Sequence, residues 1–210
     1  MVRAGRVSVA GSTITDPARD VGPRDAVAVD GNAVIAERAR VVYAVNKPAG
    51  VVSTARDPQG RPTIVSLVPT NARLYPVGRL DIDTTGLILL TNDGELANRL
   101  THPRFEVEKT YRAVVFRPPV REAALKALRD GVPLDDGPTA PARVRRVRAD
   151  TLEITIHEGR KRQIKRMCEH VGHPVRHLER VQLGFLALGD LRRGGARQLS
   201  ETEIDRLAGH

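Results

Sequence analysis

Four consecutive apolar residues, Leu87-Ile88-Leu89-Leu90, follow a polar loop that runs Val77-Gly78-Arg79-Leu80-Asp81-Ile82-Asp83-Thr84-Thr85-Gly86. A short apolar run bounded by turn formers reads as a buried strand, so the rest of the chain has to be arranged around it. Beyond it, Asn92 with Glu95 three residues later predicts a capping-box start for a helix through Leu100. The loop before the strand carries two carboxylates, two hydroxyls and an arginine between glycines. A polar loop feeding a rigid strand and helix is a common way to hold a reactive side chain. The plain alternative is a solvated turn ahead of a core strand.

Other segments supply the partners this strand needs. Val41 to Asn46 reads as a second buried strand, stopped by Lys47-Pro48-Ala49-Gly50, and Thr110 to Phe116 as a third. Thr151 to His157 alternates, with Leu152, Ile154 and Ile156 inward. Arg121 to Asp130 forms an amphipathic helix with Leu125 and Leu128 on one face and Gly131 as its stop. Ile164, Met167, Cys168 and Val171 make a helical stripe flanked by Arg162, Lys165 and Arg166, and Leu199-Ser200 with Glu203 and Ile204 caps a short closing helix. The first thirty-odd residues are β-rich, with Arg6 to Val9 and Asp25 to Val29 alternating and a hairpin-type turn at Asp30-Gly31. Arg56 to Pro62 is an exposed loop. Strands and helices mixed without strict alternation give an α+β fold: a mixed, largely antiparallel sheet with flanking helices.

Charge narrows the class of partner. The 210 residues carry a net charge of +9, and between Arg143 and Arg197 there are 14 Arg and Lys against 6 Asp and Glu, which is +8 of that +9. Such a concentration is the footprint of a nucleic-acid partner, although a solvated face would also look like this. Cys168 is the single cysteine, which fits a reducing compartment, and no apolar run approaches the ~20 residues of a membrane span. A soluble, cytoplasmic protein is expected. The cluster Cys168, His170, His173 and His177 suggests a metal site, but a helix break at Gly172-His173-Pro174 keeps the four apart, so no metal is expected.

Gly78-Arg79-Leu80-Asp81-x-Asp83-Thr84-x-Gly86-Leu87 resembles the catalytic signature of the pseudouridine synthases, in the branch that modifies ribosomal RNA (the RsuA/RluB family). Asn46 to Val51, Lys109-Thr110-Tyr111-Arg112 and Glu158 to Met167 match further family motifs in the expected order, and the resemblance covers nearly the whole chain. It implies the same α+β fold with a cleft across the sheet, Asp81 as the catalytic residue, Tyr111 stacked on the target base and Ile156 against the uracil. It also implies Lys165 as the cation beside Asp81, where relatives outside the branch carry arginine, and Arg79 filling the vacated base position or gripping phosphate. Lys47, Arg160, Lys161, Arg162 and Arg166 are the implied RNA contacts. Arg3 to Val7 and the Asp30-Gly31 turn resemble the C-terminal half of a small S4-like RNA-binding domain, which relatives usually carry complete with two preceding helices. The expected organisation is therefore residues 1–36 as a partial S4-like domain and linker, loosely held, and residues 37–210 as the catalytic domain.

The implied reaction breaks the bond between ribose C1′ and uracil N1 and rejoins the ribose to C5. No atom is gained or lost, so no cofactor is required, and an ionised carboxylate beside the ribose is. The partner would be ribosomal RNA or a ribosomal-subunit precursor, with the Asp57-Pro-Gln-Gly-Arg-Pro loop favouring large-subunit (23S) over small-subunit (16S) RNA, and the protein a monomer. The paired Asp81 and Asp83 could also suggest a glycosidase. An aromatic content of 3% without tryptophan argues against sugar platforms, and Asp83 is expected instead to hold the loop through Thr84 or Thr85. The alternative from another class is a non-catalytic RNA-binding or ribosome-assembly protein that retains the fold.

Overall fold

A computed structural model describes residues 1–22, 25–34 and 40–209. The chain divides into two units between Arg40 and Val41. The boundary expected at 36/37 lies in 35–39, outside the described residues.

The first unit is a four-stranded antiparallel sheet of β1 (Val7–Val9), β2 (Ser12–Ile14), β3 (Val27–Val29) and β4 (Asn32–Ala33), in the order β2-β1-β3-β4. Asp30 and Gly31 both take positive φ, 52° and 79°, as a two-residue hairpin turn requires. Arg6 grips Asp30 through two hydrogen bonds of 2.8 and 2.5 Å. Val9 is the only buried side chain among this unit's described residues.

The second unit holds β5 (Val42–Lys47), β6 (Tyr75–Val77), β7 (Thr85–Thr91), α1 (Gly94–Thr101), β8 (Lys109–Val115) and α2 (Glu122–Asp130). There follow β9 (Pro133–Leu134), β10 (Gly137–Pro138), β11 (Arg143–Arg148), β12 (Thr151–Ile156), α3 (Gln163–His170), β13 (Val175–Leu183), β14 (Leu186–Ala187), β15 (Ala196–Gln198) and α4 (Glu201–Ala208). Its main sheet runs β11-β12-β8-β13-β7-β5-β15, with β6 and β14 on β7 and β13. The β13–β7 pair is parallel and the other pairs are antiparallel, so the sheet is mixed and largely antiparallel as expected.

All seven residues of β7 are buried. Its side chains alternate between two cores: Ile88 and Leu90 join the core that includes Leu125 and Leu128 of α2 and Ile164, Met167 and Cys168 of α3. Leu87 and Leu89 join Leu96 and Leu100 of α1 and Ile204 and Leu207 of α4. Helices thus cover both faces of the central strand, which is why its apolar run is unbroken. Where β7 meets β13, Gly86 has φ 99° and a Cβ there would lie 2.2 Å from the Arg180 carbonyl oxygen, so the backbones approach too closely for any side chain.

Three local readings shift. The cap of α1 is Asp93, whose Oδ1 accepts from the Glu95 and Leu96 amides at 3.0 Å, while Asn92 Oδ1 accepts from the Val41 amide at 2.8 Å and joins β5 to β7. Asp83 does not turn back on Thr84 or Thr85 but reaches α3. Val175–Leu183, unassigned from the sequence, is a nine-residue strand at the middle of the sheet. The closing helix has the full capping box at Ser200 and Glu203, and Leu199 and Ile204 share a core as the staple requires.

Candidate active site

The loop between β6 and β7 carries Asp81, and it is fastened from beneath by residues outside its own motif. Ser53 Oγ donates to the Leu80 carbonyl at 2.9 Å and accepts from the Leu80 amide at 3.1 Å. The Gly50 amide donates to the Ile82 carbonyl at 2.8 Å, and the Thr84 amide to the Asp81 carbonyl at 3.1 Å. Lys47, at the end of β5, is completely buried, and its Nζ donates to the carbonyls of Pro48, Ile82 and Thr84 at 3.0, 3.2 and 2.8 Å. Burial pulls its pKa down to about 8, with Asp83 and Asp81 pulling the other way. Lys47 is therefore not a surface contact for RNA, as its motif implies, but an internal tie for the loop: three backbone carbonyls take the place of solvent around the ammonium.

Helix α3 supplies the cation. Lys165 Nζ lies 2.6 Å from Asp83 Oδ1 and 3.3 Å from Asp81 Oδ2, with the Asp81 side chain 37% exposed. The hydrogen bond from Lys165 holds the Asp83 carboxyl below the usual range. One ammonium shared by two carboxylates leaves the pair with a net negative charge. The expected Lys165–Asp81 neighbourhood is present, with Asp83 as a third member.

Asp81 opens onto a cavity of about 550 Å³ lined by Arg79, Tyr111, Ile156, Ile164, Leu178 and Arg180 among others. Tyr111 and Ile156 are buried, on the adjacent strands β8 and β12, so the aromatic and aliphatic surfaces expected for a flat base stand side by side. Arg79, Lys161 and Arg162 are exposed residues of the same lining. Arg160 and Arg166 are spoken for: Arg160 binds Glu158, Asp136 and the carbonyls of Gly137 and Pro138, and Arg166 pairs with Asp135 and Asp136. Of the five expected RNA contacts, only Lys161 and Arg162 are exposed and make no ion pair among the described residues.

The site also contains residues that the sequence did not single out. Ser53 offers no pattern to find it by. Gln163 is buried under the turn before α3, accepting from the Arg160 amide at 3.1 Å and donating to Glu158. Arg180 is an arginine at an inward position of a core strand, a signal hidden by irregularities in β13. Cys168 is buried with its thiol pushed up to about 12, which removes it as a nucleophile. No group of His, Cys, Asp and Glu able to hold a metal ion occurs among the described residues.

Residues 41–170, which carry β5 through α3, match the RNA pseudouridylate synthase family, and the chain belongs to that family. It is thus an enzyme of the pseudouridine synthase class, of the RsuA/RluB type. Within the class it is similar to ribosomal large subunit pseudouridine synthase B of Bacillus subtilis, at 42% identity over 99% of this chain and 87% of the relative. The protein of the same name from Salmonella typhi is 40% identical over 100% of this chain and 76% of its own length. A crystal structure of a pseudouridylate synthase superposes with a TM-score of 0.77 at 32% identity, over 98% of this chain and 90% of that one.

Proposed function

We propose that this enzyme converts a uridine of large-subunit ribosomal RNA to pseudouridine, with the Asp81 carboxylate at the ribose and without a cofactor. The observation that carries the reading is the Lys165 ammonium within 3.3 Å of Asp81, at a cavity lined by Tyr111. The ammonium faces Asp81 and Asp83 together and fixes the Asp81 carboxylate at the cavity. The carboxylate then acts beside C1′, either by supplying an electron pair to C1′ or by removing a proton next to it. Tyr111 and Ile156 replace the stacking neighbours that a uridine loses when it leaves its RNA helix. Arg79, Lys161 and Arg162 meet the phosphates around the cavity. The large-subunit assignment is supported by relatives whose names state that target.

The test is pseudouridine mapping of ribosomal RNA from cells lacking the gene, complemented with wild type or Asp81→Asn. One large-subunit uridine should lose its modification and regain it only with wild type. Survival of every pseudouridine in the deletion, or restoration by Asp81→Asn, overturns the reading.

A further inference from the structure

Arg180 is 3% exposed and lines the cavity. Its Nε donates to the Leu87 carbonyl at 2.6 Å, while its buried Nη2 has no acceptor and no ion pair involves it among the described residues. A buried guanidinium is ordinarily matched by a carboxylate, because an unpaired buried charge is costly. The two acidic side chains lining this cavity are committed elsewhere. Asp81 faces Lys165, and Glu158 accepts from Arg160, Gln163 and the Ala140 amide. Thr84, whose buried Oγ1 is likewise unpartnered, and Lys109 line the same cavity. Burial and then the charge of Arg180 hold the Lys109 ammonium below its ordinary pKa.

Position in the sheet tells what is missing. Arg180 on β13 is the register partner of Tyr111 on β8, so the two side chains leave the sheet on the same face. A base lying on Tyr111 would bring a carbonyl acceptor to that face of the sheet.

Resting on the function proposed above, we infer that Arg180 binds a carbonyl oxygen of the target uracil and carries part of the negative charge that the base acquires on leaving C1′. When the C1′–N1 bond breaks, both electrons stay with the uracil and spread from N1 onto O2 and O4, whichever way Asp81 acts. Turning the detached ring about its N3–C6 axis exchanges N1 with C5 and O2 with O4. The same guanidinium, a donor only, therefore faces a carbonyl oxygen before and after the turn. C5 then bonds to C1′ as the Asp81 oxygen leaves C1′, or as Asp81 returns the proton it took from the neighbouring carbon; the proton on C5 leaves to solvent, and N1 takes one up. A fixed donor aimed at charge that develops during the reaction is a large catalytic term in a water-poor site.

The experiment uses the full chain and in vitro transcribed large-subunit ribosomal RNA made with uridine or with 5-fluorouridine, whose electron-withdrawing fluorine stabilises the departing anion by itself. Single-turnover rates at saturating RNA are read on the excised target fragment, whose digested nucleosides are separated by chromatography before mass spectrometry because the isomers have equal mass. Arg180→Gln should slow the uridine reaction about a hundredfold with RNA affinity nearly unchanged. Its loss on 5-fluorouridine should be at least tenfold smaller, and Arg180→Lys should recover much of the rate on both. Equal losses on the two substrates, or a loss confined to RNA affinity, overturn the inference. If Arg180→Gln fails to fold, Arg180→Lys, which keeps a donor and a charge, decides: its defect must still shrink on 5-fluorouridine. A wild-type enzyme that converts no uridine in this RNA would instead sink the function proposed above, and the two failures are thereby distinguished.

Discussion

At the scale of single residues, the site depends on polar groups placed where solvent cannot reach them. Lys47 is the clearest case, since its three carbonyl partners belong to Pro48 and to Ile82 and Thr84 of the loop that carries Asp81. Its pKa is about 8 in the folded protein against 10.5 for an ordinary lysine. Between those values the unfolded chain holds a proton that the native protein has released, so this group makes stability rise with pH across that window and imposes its full penalty below it. Denaturant unfolding of wild type and Lys47→Met at pH of about 7.5 and about 9.5 checks this. The wild type should gain on the variant at the higher pH, and a difference independent of pH would mean that Lys47 titrates as an exposed lysine does. The placement of Asp81, Tyr111 and Lys165 was legible because each stands inside a short motif, and that of Ile156 because its strand alternates. Lys47 stood in a motif too, yet its burial was not legible, because an ammonium bound to backbone carbonyls leaves no mark in a side-chain pattern.

At the scale of elements, legibility followed regularity. Strand β12 and helix α3 show clean periods, and their inward residues are buried as read from the sequence, save Val171, which caps α3 and is partly buried. Strand β13 shows none, because register shifts between Val175 and His177 and between Arg180 and Gln182 break its period of two. The start of α1 moved by one residue, since Asn92 and Asp93 are both good caps and the Val41 amide claims the first. The β7–β13 junction depends on Gly86, with its positive φ and its contact with the Arg180 backbone. Gly86→Ala should cost several kcal/mol and lower the melting temperature by more than 10 °C, roughly what strain plus a backbone clash would give. A shift of only a degree or two would show that the strands can separate without loss.

At the scale of the whole molecule, half of the Arg and Lys between Arg143 and Arg197, seven of 14, face carboxylates among the described residues. Arg145, Glu153, Arg112 and Glu179 are successive register partners across β11, β12, β8 and β13, with ion pairs Arg145–Glu153 at 2.7 Å and Arg112–Glu179 at 3.8 Å. Arg143, Arg176 and Arg197 also face carboxylates. The charge count legible in the sequence therefore overstates the surface offered to RNA, because pairing across strands cannot be read from a linear chain. RNA affinity measured against salt concentration should lose about two units of logarithmic slope when Lys161 and Arg162 are both replaced by alanine. The same replacement at Arg143 and Arg145 should leave the slope nearly unchanged; equal effects would return the role to diffuse charge.

The central parallel pair has a bearing on how the enzyme is made. Asp81 leaves the ribosome well before Lys165 and Arg180, and the Arg180–Leu87 hydrogen bond spans 93 positions of sequence. Strand β7 reaches the tunnel exit with its β5 partner already available, but with the β13 side of its edge bare. Closure of so distant a contact is slow compared with local folding. A nascent chain therefore carries its carboxylate through nearly half of translation without the groups that complete the cavity, and it stays chemically silent beside the very class of RNA that the finished enzyme is proposed to modify.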